Sequence, residues 1–161
     1  MKKLGKFTGL LLITLFLFAC RSQPASETQE AGGQTPSQPA TQAEIEAALE
    51  TIYEQYADSL ILEGARRYTV VRGDTLSRIS RQFYGNGFYF PVIMMASRDL
   101  VVDHDRITPG MVLTIPDLQM NLNDQGARGV MRNLFNEVAV IEDQRNRHDT
   151  ADGLRSLADS L

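Results

Sequence analysis

The 161-residue chain has one cysteine, no tryptophan and two histidines. A lone thiol closes no disulfide within the chain, and it cannot build a zinc or iron–sulfur site, which needs several thiolates. His104 and His148 stand 44 positions apart in different segments. Metal catalysis therefore has no support, and neither a metal nor another cofactor is expected. Lysine is confined to positions 2, 3 and 6, so residues 20–161 carry 13 arginines against 20 acids, a net charge of −7. Such a chain lacks the basic surface that phosphate binding requires, which excludes nucleic acid as a partner. It is equally unsuited to lying flat on anionic lipid. The longest apolar run, residues 10–18, is shorter than the roughly 20 residues a membrane-spanning helix needs. Core-forming sequence begins only near Ala43, which leaves a domain of about 50 residues with flanking helices and no room for a large hydrolase. Ser80, His104 and Asp105 come without a nucleophile elbow or an oxyanion loop. Glu46 and Glu50 belong to a helix surface rather than a glycosidase cleft. The chain is not expected to be an enzyme.

What is present begins with Lys2, Lys3 and Lys6, the apolar run, and then Leu17-Phe18-Ala19-Cys20. The run has the length and flanks of a secretory signal. A small residue before a cysteine, with leucine three places before it, resembles the lipobox of bacterial lipoproteins. Phe18 stands where that box usually has a small residue, a relaxed form found among spirochaete lipoproteins. The resemblance implies a signal peptide over 1–19 and a diacylglyceryl group on the Cys20 sulfur. Several acyl chains would give a stable anchor. Arg21 provides no aspartate retention signal, so the expected location is the cell envelope, at an outer membrane and facing the periplasm.

Residues 20–42 are mostly Ser, Thr, Gln, Pro, Ala and Gly, a composition that cannot offset its ordering entropy and reads as a disordered tether. As a coil its ends would lie about 25 Å apart, and full extension would reach roughly 75–80 Å. From 43 to 64, Ile45, Leu49, Ile52, Tyr53, Tyr56 and Leu60 recur at intervals of three and four, the pattern of an amphipathic helix stopped by Gly64. A C-terminal helical segment over 124–161 follows from Val130, Leu134, Val138 and Ile141, with Met131 and Phe135 beside them, and then Leu154, Leu157 and Leu161. These faces would pack on the first helix or on another chain.

Residues 67–117 carry the functional signal. Tyr68-Thr69-Val70-Val71 is β-prone, Arg72-Gly73-Asp74 breaks it, and Asp74 or Thr75 can cap a helix bearing Leu76, Ile79 and Phe83 on one face. Gly85 ends that helix and Pro91 opens a second one, which buries Val92, Ile93 and Met95 or Ala96. A polar loop, Asp103-His104-Asp105-Arg106, reads as solvated. Pro109-Gly110 then turns into a strand, Val112 to Ile115. Two strands make no stable sheet alone, so the prediction is an α+β domain of βααβ order, a two-stranded antiparallel sheet with two helices on one face.

The spacing of Tyr68, Val70, Gly73-Asp74-Thr75-Leu76, Ile79, Phe83-Tyr84-Gly85, Ile107, Gly110, Leu113 and Ile115-Pro116 closely resembles the LysM domain, over about a third of the chain. That resemblance implies binding of peptidoglycan or a related N-acetylglucosamine glycan in a groove between two loops. On this chain the groove residues would be Gly73, Asp74, Thr75 and Leu76 on one side, and Ser97, Arg98, Asp99, Leu100 and Ile107 on the other. The family usually has asparagine where Ser97 stands, and serine has no amide N–H to donate. The implied function is a lipid-anchored envelope protein holding peptidoglycan. The alternative is an envelope assembly protein with little glycan affinity, whose flanking helices contact a protein partner or a second copy.

Overall fold

A computed structural model describes residues 40–56 and 58–161. The expected signal peptide, Cys20 and most of the expected tether lie outside these residues. The described chain runs α1 (Gln42–Gln55), β1 (Arg66–Thr69), α2 (Leu76–Tyr84), a 3-10 turn (Gly87–Tyr89), α3 (Phe90–Ala96), β2 (Val112–Ile115), α4 (Leu118–Asn123), α5 (Gln125–Gln144) and α6 (His148–Asp159).

The centre is the βααβ unit. β1 and β2 pair antiparallel, with Arg66 opposite Ile115 and Thr69 opposite Val112. Val70, Leu113 and Ile115 are buried along this ribbon. Thr75 caps α2 by accepting the Arg78 N–H. Gly85 ends the helix at φ 78°, a conformation that costs glycine nothing and other residues strain. Leu76 and Ile79 point into the core, and Phe83 meets the Tyr68 ring edge-on at 5.4 Å. Every side chain of α3 from Phe90 to Met95 is buried, more than the one-sided face read from sequence. The cause is a second cover: α5 packs over α3 on the side away from the sheet.

That cover is amphipathic helix, as the periodicity requires. Met131, Leu134, Phe135, Val138 and Ile141 of α5 are buried in one continuous core with Ile45, Leu49 and Ile52 of α1 and Leu154 of α6. Phe135 reaches the Tyr89 ring at 5.9 Å. Gly153 lets α6 approach Phe88 so closely that a Cβ there would overlap three carbons of the ring. The apolar faces of the flanking helices are thus filled from within the chain.

The helix expected over 43–64 is shorter than the pattern implied. A capping box of Thr41 and Glu44 starts it, but it ends at Gln55, and Asp58 takes φ 60°. Buried Asn121 supplies the reason: its Oδ1 accepts the Ile61 N–H and its Nδ2 donates to the Ile61 carbonyl, each at 2.9 Å. Those backbone groups cannot then serve a helix. Tyr56 and Leu60 still reach the core, which is why they kept the helical spacing. Residues 118–123 form α4, in which Asp117 accepts the Gln119 and Met120 N–H groups. No helix among the described residues is long and apolar enough to cross a membrane.

Candidate functional site

A cleft of about 260 Å³ opens beside the start of α2. Asp74, Thr75, Leu76 and Ser77 form one side, and His104, Asp105 and Ile107 form the second. Phe90 also lines it, and Glu142, Arg147 and Thr150, from the α5–α6 junction, form a third side.

Four of the nine groove residues inferred from sequence, Asp74, Thr75, Leu76 and Ile107, line it. Gly73 borders the cleft in the turn before it, at φ 91°, and its carbonyl accepts from the Arg78 guanidinium. Asp74 does not cap the helix. Its Oδ2 accepts the Tyr68 hydroxyl at 2.8 Å and the Val71 N–H at 2.9 Å, which fixes the loop on the strand. That bond is also the first cause of the upward shift of the Tyr68 phenol. Thr75 is free to donate its hydroxyl outward while its oxygen caps α2. Leu76 is only 1% exposed and belongs mainly to the core, whereas Ile107 is half-buried at the rim.

Ser97, Arg98, Asp99 and Leu100 lie away from this cleft. Ser97 is buried, and its hydroxyl accepts the Thr114 N–H at 2.9 Å and faces the Thr114 carbonyl at 3.3 Å. A serine hydroxyl both donates and accepts, so it ties α3 to β2 without an amide. Arg98 turns to Asp58 at 3.2 Å, and Asp99 and Leu100 are exposed beyond it. A cavity of about 270 Å³ at the Arg66–Ile115 end of the ribbon, lined by Arg66, Phe83, Tyr84 and Leu118, contains none of the inferred residues.

The loop read as solvated is the main correction. Asp103 is 1% exposed, Glu142 is fully buried, and the His104 side chain is 9% exposed with its ring 4.8 Å from that of Phe90. His104 Nε2 lies 2.8 Å from Glu142 Oε1. Arg145 pairs with Asp103 and reaches Glu142 at 3.1 Å, and Arg147 bridges Asp105 and Glu142. Three carboxylates thus face two guanidiniums and one imidazole. Burial alone would raise the Asp103 carboxyl, but the Asp105 N–H, Gln42 and Arg145 hold it below the usual range. Asp105 is likewise held low, against burial, by Arg147, His104 and Arg145.

Asp103, His104 and Asp105 bring ligand atoms within 4.8 Å of one another, a spacing a cation could use. The carboxylates already carry fixed guanidiniums, however, and a cation would have to displace them. The arrangement therefore works as a latch between the α3–β2 loop and the end of α5. Sequence did hold a signal for it. Glu142 falls four residues after Val138, on the same buried stripe, and an acid placed there has to find a buried partner.

The class defined so far is a small βααβ binding module whose groove lies between loops at one end of its ribbon. Residues 68–116 match the LysM domain family, and this segment of the chain is a LysM domain. A relative, potassium binding protein Kbp of Escherichia coli O6:H1, is 48% identical over 50 residues, which cover 31% of this chain and 34% of that protein. The chain thus spans about a third of the length of the relative it matches. No solved structure matches it.

Proposed function

We propose that the protein holds peptidoglycan, or a related N-acetylglucosamine glycan, non-covalently in the cleft beside α2. The observation that carries this reading is the meeting of Asp74, Thr75, Leu76 and Ile107 around one cleft in a LysM domain. The cleft offers neutral hydrogen-bonding groups beside apolar surface, which suits a sugar ring better than an anion. The relative's name speaks of potassium, but the only group of possible ligands among the described residues is already paired with arginine.

The test is co-sedimentation of the protein with purified sacculi. Wild type should pellet, with little loss when salt is raised, because few ions are released from a neutral glycan. Ser77→Trp should stay in the supernatant, since it fills the cleft without touching the Thr75 cap. Wild type that stays soluble at every salt concentration overturns the reading.

The anchor is part of the same proposal and rests on the basic start, the apolar run and Ala19-Cys20. Tethering near the wall raises effective concentration, so one weak groove suffices. Cys20→Ser should release the protein from the membrane fraction. An uncleaved Cys20→Ser protein that still partitions into detergent would point to a simple membrane segment instead.

A further inference from the structure

The LysM segment ends at residue 116, yet three residues around its cleft, Glu142, Arg147 and Thr150, come from beyond that point. We infer that the α5–α6 junction is a third wall of the glycan site, and that Thr150 and Arg147 on it help to read a neutral N-acetylated sugar residue. This inference rests on the glycan reading and deepens it.

Position comes first. The junction is latched to the second wall by Arg145 and Arg147, which pair with Asp103 and Asp105, and by Glu142 beside His104. A wall held by buried ion pairs is pre-organised, so a ligand meeting it spends little free energy on ordering it. Size comes next. At about 260 Å³ the cleft falls just under the roughly 300–1,000 Å³ of drug-sized pockets. A third wall therefore suits one enclosed sugar residue rather than a long run of them.

Chemistry decides the ligand class. Ser77 and Thr150 both line the cleft, and neither side chain has a hydrogen-bond partner among the described residues. Half-buried Ile107 gives apolar surface at the rim. The guanidinium of Arg147 is engaged by Asp105 and Glu142, and the carboxylate of Asp74 by Tyr68 and Val71. Among the residues lining the cleft no uncompensated guanidinium is left to receive a carboxylate, and with Asp74, Asp105 and Glu142 around it the cleft disfavours one. Arg147 can still offer its remaining N–H groups to a hydroxyl or acetamido oxygen.

The test uses the chain as it stands and tetra-N-acetylchitotetraose as a neutral probe, with sacculi in parallel. Wild type should bind both. Thr150→Trp should weaken oligomer binding at least about tenfold with the melting temperature unchanged, while Ser156→Trp, exposed farther along α6, should bind as wild type. Should the tryptophan unfold the helix, Thr150→Ala, which favours helix, should still weaken binding about threefold. If Ser77→Trp loses binding but folded Thr150→Trp and Thr150→Ala keep it, the third wall is refuted and the glycan reading stands. Binding to sacculi without binding to the oligomer refutes the neutral-sugar class. Binding to neither refutes the glycan reading itself.

Discussion

Gly153 is the most informative single position for the packing of the C-terminal helices on the LysM domain. In an exposed helix interior, Gly→Ala stabilises by about 1 kcal/mol. Here the new Cβ would fall inside contact distance of Phe88 Cζ, Cε1 and Cε2, the farthest only 2.7 Å away. The ring cannot simply step aside. The Phe88 N–H is held by Asn86 at 2.9 Å, and the next residue, Tyr89, is wedged between Tyr84 and Phe135. Overpacking costs about 1–3 kcal/mol, and overlap with three ring carbons places this case at the upper end. After the helix-propensity gain, Gly153→Ala should destabilise by about 2 kcal/mol, a drop in melting temperature of about 5–10 °C.

The assay is urea unfolding followed by far-ultraviolet circular dichroism, run as a double-mutant cycle with Phe88→Ala. Removing the ring costs packing on its own, but in that background Gly153→Ala should be neutral or stabilising by up to about 1 kcal/mol. The coupling between the two sites should therefore be about 2–3 kcal/mol. If Gly153→Ala stabilises the otherwise unaltered protein, α6 is not seated on Phe88, and the third wall loses its support as well.

Arg145→Met should destabilise by about 3–5 kcal/mol in the same assay, because it leaves buried Asp103 without its guanidinium and Glu142 with only Arg147 and His104. Asn121→Ala strands the Ile61 N–H and carbonyl, and should cost about 2–4 kcal/mol without changing the fold of α5. The Asp103 and Asp105 carboxyls are held below their ordinary values in the folded state. Their stabilisation is therefore complete above the unfolded value of about 3.9 and is lost as pH falls through the lower folded values. Asp103→Asn should shrink the loss of stability measured between about pH 6 and about pH 3, and an unchanged loss would refute the assignment.

The βααβ unit was legible because its local signals agree. Thr75, Gly85, Pro91 and the spacing of Leu76, Ile79 and Phe83 each specify one feature of the same fold. Asp74, Thr75 and Leu76 meet around one cleft for the same reason, since they follow the turn they help to build. Ser97 to Leu100 stand apart from that cleft, at positions set by long-range partners: Thr114 for Ser97 and Asp58 for Arg98. The end of α1 was hidden likewise, in a buried asparagine 60 residues away. Asp103-His104-Asp105 read as a solvated loop because four polar residues in a row, Asp103 to Arg106, show no apolar period. Only Glu142 on the buried stripe of α5 betrayed that something charged had to meet it.

A core the size of one LysM domain is marginal by itself, and α3 shows how this chain answers that. Its side chains from Phe90 to Met95 are buried only because sheet and cover enclose them together. The cover is held to the domain by apolar packing at Phe88 and Phe135 and by the arginine latch, and the latch ends at the cleft. Under the proposed function, stability and recognition share residues, with consequences in both directions. A ligand that touches Thr150 and Ile107 at once binds only the docked arrangement, so it stabilises docking by RT ln(1 + [L]/Kd), about 2.7 kcal/mol at a hundredfold excess over Kd. Conversely, a change that loosens the dock lowers apparent affinity by the fraction of molecules left undocked, even when it lies far from the sugar. Gly153→Ala is such a change. Weakened oligomer binding in that variant, recovered when Phe88→Ala relieves the overlap, would show the cover acting on the site through its position alone.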